Sequence, residues 1–140
     1  MAGTIIADAI EHSDSTSLAT NQLVAKNATQ TFTASQRGEI TTLTSGSTVT
    51  PDFAASNNFT LTLGENLTIA NPTNLVAGQS GSIFLVQDGT GSRTITWGSY
   101  FDWAGGTAPT LSTAASSVDR LDYIVRTTGS IHSVVTLAYS

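Results

Sequence analysis

The chain has no cysteine in its 140 residues. A disulfide scaffold and thiolate metal sites are therefore excluded. Charge is also scarce. Asp, Glu, Lys and Arg make up 11% of the residues, less than half of the ~25% usual in soluble domains. The five basic residues, Lys26, Arg37, Arg93, Arg120 and Arg126, are scattered, and the net charge is −5. No phosphate-tracking stripe exists, so neither nucleic acid nor an anionic membrane is an expected partner. No apolar run approaches the ~20 residues of a membrane span. Met1 to Ile10 lacks a basic leader and carries Asp8 inside its apolar part, unlike a signal peptide. With two histidines, His12 and His132, no transition-metal site within one chain and no cofactor are expected. No helical periodicity stands out in the body of the chain.

Thr, Ser, Asn and Gly fill the space left by the missing charge. Hydrophobic residues still reach 39%, so the composition is not that of a disordered chain. It fits short strands and polar turns, because Thr suits a pleated, half-exposed surface. The length bounds one domain with a core of its own.

Asn71 to Trp97 is the stretch around which the rest is arranged. Ile83-Phe84-Leu85-Val86 is apolar at every position, as in a strand covered on both faces. Asp88-Gly89-Thr90-Gly91-Ser92 supplies turn chemistry, and Arg93 to Trp97 follows, so the unit is read as a β-hairpin. Upstream, Ile40 to Leu43 and Val49 to Phe53 flank Ser45-Gly46-Ser47, and Pro51 places the second of these at an edge or a stop. Phe59, Leu61 and Leu63 alternate, turn at Gly64-Glu65-Asn66 and return through Leu67 to Ala70. Residues 98 to 110 read as one long irregular loop. At the end, Leu121, Tyr123 and Val125 share one strand face, Thr127 to Ser130 turns, and Ile131 to Tyr139 alternates as the partner strand. No clean internal repeat is visible. The fold class is all-β, a small antiparallel sandwich or barrel of jelly-roll type over 39–140.

Residues 1–38 differ. Ile5, Ile6, Ile10, Leu18, Leu23 and Val24 are too few to form a core. This segment is expected to be an N-terminal arm that docks on another chain through those residues.

The run from Leu61 to Val125 resembles a module of tailed-bacteriophage virion proteins. The pieces that carry the likeness are Asn71-Pro72-Thr73-Asn74, Ala77-Gly78-Gln79-Ser80-Gly81, Gln87-Asp88, Gly91-Ser92-Arg93, Gly105 to Pro109 and Val118-Asp119. The resemblance implies a non-enzymatic β-structured protein on the virion exterior, made in the bacterial host cytoplasm. It also implies a homotrimer whose partners are its own copies and other capsid or tail proteins. The chain has no long shaft, which favours capsid decoration (a cement protein). The alternative is a short tail-fibre module that binds host-surface glycan.

Trp97, Tyr100, Phe101, Asp102 and Trp103 form the most site-like group. Aromatic rings stack on sugars and a carboxylate accepts hydroxyl hydrogens, so the group is a candidate glycan contact. The competing reading is packing, in the sandwich or across a subunit interface. No catalytic residue is expected. Glu11-His12-Ser13-Asp14-Ser15 holds triad residue types, but neighbours in sequence do not make triad geometry. Asp119 and Asp122 fall on opposite strand faces, with Arg120 as the surface partner of Asp122. Asp88 reads as a turn former.

Overall fold

The computed structural model describes residues 37–139, together with Ile10, Glu11, Ser17, Leu18 and Ser35. The chain divides into two compact units, Met1–Gln36 and Arg37–Ser140. In the first unit, β1 (Ile10–Glu11) pairs antiparallel with β2 (Ser17–Leu18), and Ile10 stands opposite Leu18. The other expected arm residues, Ile5, Ile6, Leu23 and Val24, lie outside the described residues.

The second unit is all-β, in mixed sheets. Three successive strand pairs build it: β3 (Ile40–Leu43) with β4 (Thr48–Val49), β5 (Asn58–Leu63) with β6 (Leu67–Ile69), and β7 (Ser80–Gln87) with β8 (Ile95–Trp97). No pair is a hairpin. β3, β5 and β7 lie side by side in parallel, and β4, β6 and β8 do the same in a second sheet. Each strand–corner–strand unit is thus one coil, and three coils stack as a short parallel solenoid. A third side is held by backbone bonds from Phe53 N–H to the Thr73 carbonyl (3.0 Å) and from Thr73 N–H to the Pro51 carbonyl (3.0 Å). The antiparallel jelly-roll expectation is corrected accordingly, as are the hairpin reading of Asn71 to Trp97 and the return of Leu67 to Ala70 against Phe59 to Leu63. β4 ends at Val49 on the edge of its sheet, as Pro51 required.

Stacking brings like residues into register. Phe59 lies beside Ile83 and Leu43 beside Leu61, which lies beside Leu85. Val49, Ile69 and Trp97 form a matching line in the other sheet. Nearly all of these point inward, and Phe59, Leu61, Ile69 and Ile83 have no exposed surface. Truncating any one of these four to Ala is expected to cost about 2–5 kcal/mol.

Short polar side chains replace charge at the corners. Ser45 Oγ accepts the Gly64 N–H of the next coil (3.1 Å), and Asn66 Oδ1 accepts the Thr94 N–H of the coil after it (3.0 Å). Asn71 Oδ1 accepts the Tyr100 N–H (2.9 Å). At these three positions the backbone donors are satisfied without ion pairs.

The solenoid continues into an antiparallel hairpin. β10 (Val118–Thr127) pairs with β7 on one side and β11 (Ser130–Tyr139) on the other. This hairpin is the one read from the sequence. β9 (Phe101–Trp103) adds in parallel to β11, so the expected irregular loop contains a strand and a 3-10 turn at Ala104–Gly106. The six-stranded sheet runs β3-β5-β7-β10-β11-β9.

Candidate functional site

The aromatic group divides between a packed cluster and two surfaces. The Trp97 ring meets Phe101 edge-on at 5.2 Å and Trp103 edge-on at 5.0 Å, and Phe101 stacks with Trp103 at 6.4 Å. Phe101 is buried, while Trp97, Trp103 and Tyr100 are half-buried against the core. Strand alternation puts Asp102 on the opposite side, where its carboxylate accepts the Ser130 hydroxyl (2.5 Å). The five residues do not converge on one pocket.

Trp97 walls a cleft of about 260 Å3 on the side of the three-stranded sheet. β8 supplies Ile95 and Trp97, the corner before it supplies Arg93 and Thr94, and the segment Ala108 to Thr113 roofs it. The wall is fixed at Arg93. Asp88 Oδ2 accepts Arg93 Nε (3.0 Å) and Nη2 (2.7 Å), while Asp88 Oδ1 accepts the N–H groups of Thr90 and Gly91. The Arg93 guanidinium, then the Gly91 N–H, hold the Asp88 carboxyl below the usual carboxylate value, and Asp88 in turn raises Arg93. The buried Gln87 amide closes the same corner, donating to the Arg93 carbonyl (2.9 Å) and accepting its N–H (2.8 Å). Asp88 is thus a turn former, as its sequence context indicated.

The roof is tied at two adjacent residues. The Thr113 carbonyl accepts the Ser92 N–H (2.9 Å), and Asp119 Oδ2 accepts the Ser112 N–H (2.8 Å). Asp119 is 2% exposed, and its other oxygen accepts the Ala138 N–H (2.9 Å), a donor freed where the β10–β11 ladder shifts register. Asp122 points outward instead and bonds Arg120 Nε at 3.0 Å, so the two carboxylates take opposite faces. Tyr123 is pushed up to about 12 by burial, and its hydroxyl donates to the Asn57 carbonyl (2.8 Å).

The cleft offers an aromatic wall with the hydroxyls of Thr94, Thr110 and Thr113 and one immobilised guanidinium nearby. That combination suits an uncharged, hydroxyl-bearing ring: its C–H face lies on the indole, and its hydroxyls meet donors and acceptors around it. Sequence reasoning singled out Trp97 but not Arg93, Thr94, Thr110 and Thr113, which line the same cleft, because nothing local marks Arg or Thr as a cleft lining. A second depression, about 480 Å3, lies on the outer face of the six-stranded sheet between Asp102, Trp103, Asp122, Ile124, His132 and Val134. No cluster of three or more His, Asp or Glu side chains that could hold a metal occurs among the described residues.

Residues 49–138 match the family described as "Putative phage tail fibre C-terminal domain". No curated protein and no solved structure matches the chain. The match gives no support to the capsid-decoration expectation and favours the tail-fibre alternative.

Proposed function

The chain belongs to the phage tail fibre C-terminal domain family, and from that premise we infer that it is a non-enzymatic virion module that binds host-surface saccharide in the Trp97 cleft. The observation that carries the reading is the cleft itself. A half-buried indole, three threonines and a fixed Arg93 meet under a roof held by Ser112 and Thr113. With the Arg93 charge neutralised by Asp88, a site of this kind suits a neutral hexose or N-acetylhexosamine. Rigid walls favour binding because little side-chain entropy remains to be lost. In this reading the stretch preceding Glu39 joins the domain to another tail protein.

The test is a titration of the full chain with saccharide fractions from the host surface, read by tryptophan fluorescence. Thr94 and Thr110 are exposed, so Thr94→Arg and Thr110→Arg fill the cleft with little effect on the fold. Saturable quenching that both variants abolish is expected. Equal quenching by wild type and variants would overturn the assignment.

A further inference from the structure

The Trp97 cleft is one of a row. Pro109 lines it and also lines a second depression of about 170 Å3, set between Trp103, Thr107 and Val135. Trp103, Ala104, Ser133 and Val134 line that second depression and also the third, the one of about 480 Å3 beside Asp102 and His132. Each depression therefore shares a wall with the next. The row passes from the side of the three-stranded sheet, around the β9 edge, to the outer face of the six-stranded sheet.

The row exists because β9 is short. β9 pairs only with Ile131 to Ser133. Beyond Trp103 the chain turns through Gly105 and Gly106, both left-handed at φ 77° and 76°, a conformation that glycine adopts without steric cost. Pro109 follows and has no N–H to give to a ladder. Among the described residues, Val134 and Val135 are left without a neighbouring strand on that side. The gap between them and Thr107 and Pro109 is the middle depression.

One chemistry repeats along the row. Trp97 walls the first depression and Trp103 the other two, and the two indoles brace each other edge-on at 5.0 Å. Beside these rings stand Thr110 in the first depression, Thr107 in the second and His132 in the third. The first two alone fall below the ~300–1,000 Å3 of a ligand pocket, and the joined row falls within it. A lining that repeats an apolar ring and a polar neighbour suits a ligand that itself repeats.

Charge narrows the ligand further. The ion pairs among the described residues 37–139 are Arg93–Asp88 and Arg120–Asp122. Asp102, at the far end of the row, accepts the Ser130 hydroxyl and keeps its charge. The chain as a whole carries −5. An anionic unit at that end would meet like charge, which costs affinity.

We propose that the row is a single groove for an extended, uncharged saccharide chain, with a sugar unit to each depression from the Trp97 cleft past Pro109 and Trp103 to Asp102 and His132. The inference rests on the saccharide reading of the Trp97 cleft and specifies its ligand as a length of polysaccharide rather than a single terminal sugar.

The test is a titration of the full chain with a size-fractionated hydrolysate of the host-surface polysaccharide, read by tryptophan fluorescence. Monosaccharide and tetrasaccharide fractions are compared, and the tetrasaccharides are divided by ion exchange into neutral and carboxylate-bearing pools. The neutral tetrasaccharides are expected to bind at least about tenfold tighter than the monosaccharides and than the carboxylate-bearing pool. Thr107→Arg and Val134→Arg, both at exposed positions, are expected to remove the gain with length at an unchanged melting temperature. Val76→Arg, exposed and off the row, is expected to keep it. Tetrasaccharides that bind no tighter than monosaccharides, a gain that survives either substitution in the row, or equal affinity for the two pools would overturn the groove and leave the Trp97 cleft reading standing. Wild type that binds none of the fractions would overturn both.

Discussion

Gly81 passes so close to Asn57 that a Cβ built on it would lie 1.7 Å from the Asn57 carbonyl oxygen and 2.9 Å from the Tyr123 hydroxyl. The contact joins consecutive coils, and the Tyr123 hydroxyl donates to the same carbonyl. Any side chain at residue 81 must push two backbones apart.

Gly81→Ala is therefore expected to reach or exceed the upper end of the ~1–3 kcal/mol cost of overpacking. Gly89 sits at an open corner with no atom within 4 Å of a built Cβ. Gly89→Ala is expected to stay within about 0.5 kcal/mol of wild type. Thermal melts of the two variants check the contrast.

The corner staples should each matter modestly. Asn66→Ala removes the acceptor for the Thr94 N–H and is expected to cost about 0.5–1.5 kcal/mol, since water reaches that corner. Asn66→Asp keeps an acceptor oxygen and should recover most of the loss. Denaturant midpoints at constant m-value measure both.

Asp119→Ala is the harsher change. It leaves the half-buried Ser112 and the more exposed Ala138 N–H groups without their acceptor; an orphan shielded from water costs about 1–3 kcal/mol, and one that water reaches costs less. The roof of the Trp97 cleft loosens with it. Lower melting temperature together with faster amide exchange at Ser112 is the expected result.

Stability should fall at both ends of the pH scale, for different groups. Asp88 is lowered from its ordinary 3.8, first by Arg93. Its contribution is present above 3.8 and lost as pH falls through the lower folded value. Asp88→Asn should lower the melting temperature at pH 7 and flatten the acid limb. Tyr123 is raised from 10.0 to about 12 by burial. Its contribution is present below pH 10 and lost as pH rises through about 12, so Tyr123→Phe should flatten the alkaline limb. Melting curves from pH 2 to 12 separate the two.

The sequence showed where strands lie better than it showed which strands pair. The inward faces of β5, β10 and β11 follow from the two-residue alternation at Phe59–Leu63, Leu121–Val125 and Ile131–Val135. The β10–β11 pairing is legible because its partners are adjacent across a four-residue turn. The solenoid is not. Gly64-Glu65-Asn66 has the chemistry of a tight turn whether the chain doubles back or rounds a corner, and the parallel partner sits in the next coil. Ile40 pairs with Asn58 and Asn58 with Ser82, spacings of 18 and 24 residues. Unequal spacing hides the repeat. β9 escaped notice for a similar reason, since Phe101 pairs with Ile131, far along the chain and without local signal. Trp97 was legible as a candidate by its chemistry. The roof over it was not, because the Ser112–Asp119 and Ser92–Thr113 bonds and the buried Leu111 that hold the segment are tertiary contacts without local signal.

Adsorption competition tests the central claim most directly. Purified full chain is added to host cells before the phage that encodes it, and free phage is counted over time. The account predicts that wild-type protein slows adsorption in a dose-dependent way, and that Thr94→Arg and Thr110→Arg proteins with unchanged melting temperature do not. Adsorption unaffected by the wild-type chain, or slowed equally by the cleft variants, would contradict it.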